Sequence, residues 1–298
     1  MLWLIFALLA AVATSFTTIF AKIGIQNVKS NFATFYRTGI VIFCCVILCL
    51  ITGSFANFNT LTKENWIFLI LSGIATGCSW LCYYKALKLG DINKVAPIDK
   101  SSFVLTSILF VIFFFDDTTN GGNILTISML SLSIILMLIG TILMIDKKES
   151  NGSTSKTWLI YAILSAVFAS IVALFAKIGL KGIPSDLGTL IRSIIVFIFA
   201  GAIVLARKDY IGVKEINGHS WLFLTLSGIA TGAAWLFEYY ALNMEHTNPL
   251  AVNAIGKLAI LLTMLFSFIF LKEKFSKKAL LGLGFLTLGI ILIIIFSL

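Results

Sequence analysis

The chain has 298 residues, of which 59% are hydrophobic and 12% charged, with a formal net charge of +9 and a mean hydropathy of +1.05. A soluble domain carries about 25% charged residues, so these figures exclude an ordinary soluble fold. The positive charges hug the ends of apolar runs, which points to the lipid bilayer as a partner and not to nucleic acid.

A helix crossing the hydrocarbon core needs about 20 mostly apolar residues. Ten such segments follow one another, at about 2–22, 33–52, 65–87, 95–115, 123–145, 158–178, 187–206, 220–243, 250–271 and 278–298. Runs such as IILMLIGTILMI and LGIILIIIFSL are apolar all round and do not alternate, which excludes a β-barrel. The first segment lacks the positive n-region of a signal peptide and matches a mid-chain segment, so it is read as part of the mature fold. The five cysteines, Cys44, Cys45, Cys49, Cys78 and Cys82, lie inside predicted spans and pair with no histidine at metal spacing.

The sixth segment begins the chain again. FAKIG at Phe20–Gly24 recurs at Phe175–Gly179, and LSGIATG at Leu71–Gly77 recurs at Leu226–Gly232, both 155 residues on. The same offset carries Trp3 onto Trp158, Arg37 onto Arg192, Trp66 onto Trp221 and Trp80 onto Trp235. The predicted fold is an all-α integral membrane protein, with ten transmembrane helices as a 5+5 inverted repeat. The first five-helix repeat is 1–148, the linker 149–157 and the second repeat 158–298. Five spans per half is an odd number, so equivalent loops face opposite sides. Duplicated hydrophobic halves mark secondary transporters, whose sites lie at the repeat interface near the bilayer midplane.

Charge supports the inversion. The loops after odd-numbered segments and their borders carry fifteen Lys and Arg, from Lys22 and Lys29 through Lys147 and Arg207 to Lys278. The opposite face has three: Lys63, Lys177 and Lys181. Positive loops stay cytoplasmic, which places both termini outside.

Trp80–Ser102 (WLCYYKALKLGDINKVAPIDKSS) and Ser30–Phe43 (SNFATFYRTGIVIF) resemble the EamA-type branch of the drug/metabolite transporter superfamily. So do Trp221–Leu242 (WLFLTLSGIATGAAWLFEYYAL) and Phe270–Leu292 (FLKEKFSKKALLGLGFLTLGIIL) in the second half. The resemblance covers nearly the whole chain and two EamA repeats. It implies alternating access about a central cavity lined by the first four helices of each half, and a bacterial plasma membrane location. The family-typical Gly-Glu-Lys reads here Lys272-Glu273-Lys274, and its first-half counterpart Asp116-Asp117. Many ten-span relatives place both termini in the cytoplasm, against the charge bias of this chain.

Charges inside spans are costly and mark candidate sites. Lys100 and Lys257 are repeat equivalents once a two-residue insertion near Asn248–Pro249 shifts the offset to 157. Each reads as a cavity-facing cation or as a lysine snorkelling to the interface. Glu238 in WLFEYY should reach the depth of Lys257 across the turn near Thr247, forming an ion pair or a shared polar pocket. Its first-half equivalent is Tyr83, opposite Lys100 with Asp99 beside it. Trp80, Tyr83 and Tyr84, and Trp235, Tyr239 and Tyr240, are read as cavity lining, with interface-belt aromatics as the alternative. Arg37 and Arg192 follow Thr34 and Thr189 by three residues and are assigned to anchoring or gating, as are Pro97 and Pro249 at the openings of segments four and nine. The glycines of LSGIATG are assigned to close helix packing.

Signatures of zinc hydrolases, serine hydrolases and nucleotide-binding loops are absent, so no enzyme activity, cofactor or metal is expected. Any pumping must use a gradient or exchange. The reading is a secondary active transporter, exporter or exchanger, of a small polar or amphipathic metabolite such as an amino acid or similar zwitterion, with a coupling proton or exchanged solute. One alternative is an organic-cation or drug exporter using Glu238 and the aromatics. Another is a scaffold or regulatory subunit without transport. Both halves lie in one chain, so a monomer suffices.

Overall fold

A computed structural model describes residues 2–25, 28–89, 98, 101–119, 122–143, 157–245, 247–271 and 276–297. Among them the chain forms helices and no strand. The first half comprises α1 (Leu2–Gly24), α2 (Ser30–Thr52), α3 (Lys63–Leu89), α4 (Ser102–Phe113), the short α5 (Phe115–Thr119) and α6 (Ile124–Leu143). The second comprises α7 (Thr157–Gly179), α8 (Ser185–Arg207), α9 (Gly218–Asn243), α10 (Pro249–Gly256), α11 (Leu258–Leu271) and α12 (Lys277–Ser297). Nine of the described spans are long and apolar enough to cross a membrane, and Ser102–Phe113 is a shorter apolar helix. The chain is a multi-pass, all-α membrane protein.

Local chemistry sets the helix ends. Gly53 stops α2 with φ +70°, a conformation open to glycine. Asn217 accepts from the Ser220 N–H to cap α9, and Asn248 accepts from the Leu250 and Ala251 N–H groups to cap α10. Pro249 takes the first helical position of α10, where its missing N–H costs nothing.

The ninth segment is one run in the sequence but two helices in space. At Lys257 the backbone N–H bonds the carbonyl of Ala254 at 2.9 Å, a tightened turn that separates α10 from α11. Of the fourth segment the structure describes Ile98 and Ser101 onward. Pro97, Asp99 and Lys100 lie outside the described residues.

The halves do not sit side by side. They interleave: α1 packs along α9, α3 along α7, α2 against α8, and α6 against α12. Each of these pairs joins one repeat to the other. Half of α8's apolar stretch is buried, against a third for α1, α6, α7 and α12, so α8 belongs to the axis of the bundle. Glycines permit the closest approaches. A Cβ on Gly24 would lie 2.9 Å from the Leu224 backbone nitrogen, and one on its equivalent Gly179 would lie 3.0 Å from that of Leu69. Leu69 and Leu224 are themselves 155 residues apart, so the two contacts are one interface built twice.

Candidate functional site

The repeated LSGIATG motif receives the arginine of the opposite half. Arg192 on α8 donates from Nη2 to Thr76 Oγ1 at 2.9 Å and from Nε to Ser72 Oγ at 3.0 Å. Arg37 on α2 donates from Nη2 to Thr231 Oγ1, also at 2.9 Å. The serines are anchored alike: Ser72 donates to the Val172 carbonyl at 2.9 Å and Ser227 to the Thr17 carbonyl at 2.8 Å. Glycine at the next position lets the partner helix come close. A Cβ on Gly73 would stand 3.3 Å from the Arg192 carbonyl oxygen, and one on Gly228 3.2 Å from that of Arg37.

On this symmetric scaffold Arg192 has unsymmetric surroundings. It is 3% exposed. Its guanidinium lies 4.7 Å from the Trp235 ring centroid and 5.4 Å from that of Tyr239. These two residues are four apart on α9 and so share a face. Glu238 lies between them in sequence, partly buried, within electrostatic reach of both Lys257 and Arg192. Among the described residues no carboxylate is in ion-pair contact with Arg192, and its Nη1 is buried with no hydrogen-bond partner. A buried cation met only by hydroxyls and ring faces is costly, and it is ready for an anionic group.

Lys257 stands at the α10–α11 break in the wall of a cavity of about 420 Å³, lined also by Thr14, Thr18, Phe103, Thr141 and Thr263. Its Nζ lies 5.9 Å from the Phe103 ring centroid. Four threonines and a lysine give this otherwise apolar cavity polar groups. At the other end of α10, Thr247 borders a second cleft, of about 690 Å³, on the lysine-poor face. Between them α10 is packed on α1, α4, α5, α9 and α12. Its Leu250, Ala251, Ala254 and Ile255 are buried. The Asn248 side chain ties it to α5 by donating to the Thr118 carbonyl at 3.2 Å. The eight-residue α10 thus separates the two spaces.

The structure brings together Lys257, Glu238, Trp235, Tyr239 and Arg192. Trp80 and Tyr83 stand apart from them. Trp80 borders a small space with Asn31, Thr34, Ala200 and Ile203, and Tyr83 packs with Ala86, Ile98, Trp158 and Tyr161. Inversion explains the separation: equivalent residues of oppositely oriented halves lie toward opposite faces. Arg192, expected as an anchor, is at the centre of the cluster. Pro249 is buried at the start of α10.

Three residues the sequence reading passed over take part in buried polar contacts. Ser72 and Thr76 sit inside the repeated motif, where their recurrence as Ser227 and Thr231 was the available signal. Asp186, in the first turn of α8, is fully buried and accepts from Thr52 Oγ1 at 2.6 Å and Ser54 Oγ at 2.7 Å.

Comparison with known proteins agrees with this architecture. The EamA-like transporter family matches residues 1–146 and again 156–295. A Sinorhizobium protein described as an uncharacterized transporter in the cobO 3′ region is 40% identical over 142 residues, 48% of this chain and 99% of that protein. A crystal structure at 13% identity superposes with a TM-score of 0.72, covering 96% of this chain and 94% of the other. At that identity the likeness is one of fold.

Proposed function

Because the chain belongs to the EamA-like transporter family, we propose that it is a secondary active transporter of a small zwitterion of the amino-acid type, working as an exporter or exchanger by alternating access. Family membership supports a transporter and not an enzyme. The observation that carries the zwitterion reading is Arg192, buried, with one nitrogen unpartnered and no carboxylate in contact among the described residues. A carboxylate of the solute supplies what that nitrogen lacks, as a charge-assisted hydrogen bond. Glu238, on the same stretch of α9, is the group for the ammonium end, and Lys257 balances it. A solute with unlike ends suits a cluster of two cations and one anion.

The organic-cation alternative needs open aromatic faces. Those of Trp235 and Tyr239 are turned toward Arg192, which argues for the zwitterion. We place the protein in a bacterial plasma membrane with both termini outside, on the lysine bias; a C-terminal reporter that signals from the cytoplasm overturns that orientation.

Thermal unfolding of the purified protein with leucine, leucinamide and N-acetylleucine tests the substrate class. A ligand that binds only the native state raises the melting temperature. Leucine is expected to stabilise more than either blocked form. Equal stabilisation by leucinamide contradicts the carboxylate anchor and restores the cation reading.

A further inference from the structure

The cleft on the lysine-poor face is a place where helix ends converge on mixed charge. Lys177 and Ile178 of α7 and Asn243 of α9 line it, so two helices turn their C-terminal ends to this space, and Phe114, where α4 passes into α5, lines it too. Helix C-termini carry partial negative charge and favour cations. The chain already uses that preference: Lys177 Nζ donates to the Leu242 carbonyl in the last turn of α9.

The charged residues around the cleft add to the negative potential. Glu64, Asp117 and Glu245 face two lysines, Lys177 and Lys181. All three carboxylates are exposed. Among the described residues none is in ion-pair contact with a lysine. Asp117 is within electrostatic reach of Lys177, yet the two do not close on each other. A further observation marks the start of α10: Thr247, 2% exposed and lining the cleft, has a buried Oγ1 with no hydrogen-bond partner. Buried hydroxyls are usually satisfied, so this one is a polar atom awaiting a partner.

We propose that this cleft is a second binding site, selective for the ammonium group of a small organic amine, lying across α10 from the central cluster. The carboxylates and the converging helix ends hold the ammonium, and Thr247 at the head of α10 supplies a neutral hydrogen-bonding group. The central cluster is weighted the other way, toward carboxylate. An amine-bearing solute at the lysine-poor face therefore has an anionic station there, across α10 from the central cluster. The site is a matter of binding and does not require that the ligand be carried.

The test is calorimetric titration of the full-length purified protein with butylamine hydrochloride. Butylamine is expected to bind wild type, with sodium butyrate failing to compete. Asp117→Asn combined with Glu245→Lys should weaken binding by about tenfold or more, the loss of one or two hydrogen bonds to a charged group. Both positions are exposed, so the variant keeps its fold. Thr247→Val should weaken it less, and Lys29→Gln, which lies outside both this cleft and the central cluster, should leave it unchanged. Three results overturn the proposal: no butylamine binding to wild type, wild-type affinity in the cleft variant, or equal weakening by Lys29→Gln. Leucine stabilisation read in parallel reports on the central site, so the failure of one proposal is distinguishable from that of the other.

Discussion

Replacing Arg192 with methionine separates its role in folding from its role in binding. The substitution removes two hydrogen bonds, at 3.0 and 2.9 Å, and two cation–ring contacts, at 4.7 and 5.4 Å. Yet it orphans no donor. Ser72 still donates to the Val172 carbonyl at 2.9 Å, and Thr76 to the Ser72 carbonyl at 3.0 Å. Bonds to a charged group contribute about 1.5–3 kcal/mol each and cation–ring contacts about 0.5–2. Against these stands the relief of a buried cation with one unpartnered nitrogen. The net folding cost is then small, on the order of 1–2 kcal/mol, and methionine fills the same space. Binding is another matter: removing one member of a buried, hydrogen-bonded charge pair costs about 2–5 kcal/mol. That corresponds to roughly thirtyfold to several thousandfold in Kd. Titration of the purified variant with leucine reads this directly, with thermal unfolding as the control for fold. Arg192→Lys should fall between, since lysine keeps the charge but not the planar fork. A folded Arg192→Met protein that binds leucine within about threefold of wild type refutes the carboxylate anchor.

Three further outcomes follow from the packing. Gly73→Ala puts a Cβ 2.7 Å from Ile195 Cβ and should lower stability by about 1–3 kcal/mol; Gly284→Ala, with nothing within 4 Å, should be neutral or stabilising in the same thermal assay. Asp186→Ala removes the carboxylate that Ser54 and Thr52 donate to, leaving Thr52 the Leu48 carbonyl at 2.9 Å, and should cost about 1.5–3 kcal/mol, with Asp186→Asn recovering part of it; equal stability of Ala and Asn variants sinks the hydrogen-bond account. Lys29→Gln breaks the 3.6 Å contact with Asp209, in which Lys29 is 50% exposed. Its effect should stay within about 1 kcal/mol and vanish at high salt.

Much of the fold was legible because its determinants are local or duplicated. Span length and uniform apolarity mark the helices, and the offset of 155 marks the halves. What the sequence does not carry is which faces meet. LSGIATG reads as a glycine packing face, and it is one, but its Ser and Thr meet an arginine from the other half, more than 110 residues away. Nothing local distinguishes a threonine that faces lipid from one that receives a guanidinium. Trp80 and Trp235 were grouped because they are repeat equivalents; inversion sends them toward opposite faces. Asp186 escaped notice because an acid in a first helical turn has an ordinary role there. Its burial arises only when the α2 end, bearing Thr52 and Ser54, packs over it. The break at Lys257 was also hidden, since PLAVNAIGKLAILL has no internal proline to announce it.

The divergence between the halves has a pattern of its own. At the centre the symmetric contacts persist: arginine to threonine at 2.9 Å in both copies, and serine to carbonyl at 2.8 and 2.9 Å. At the two ends of the α2–α8 pair the same positions meet with their chemistry exchanged. Asp186 accepts from Ser54 at the lysine-poor face. Their equivalents, Asn31 and Asp209, meet at 2.6 Å at the lysine-rich face, with asparagine as donor and the carboxylate moved to the opposite helix. In one clamp the carboxylate is fully buried and met by hydroxyls; in the other it is partly exposed and reached by Lys29. Identical clamps would give two oppositely facing states of such a bundle equal energies. Exchanged clamps, together with a single Glu238 opposite Tyr83, remove that equality while leaving the central symmetric contacts intact. On the alternating-access proposal above, the repeated core would supply the two states and the unmatched carboxylates would make them unequal.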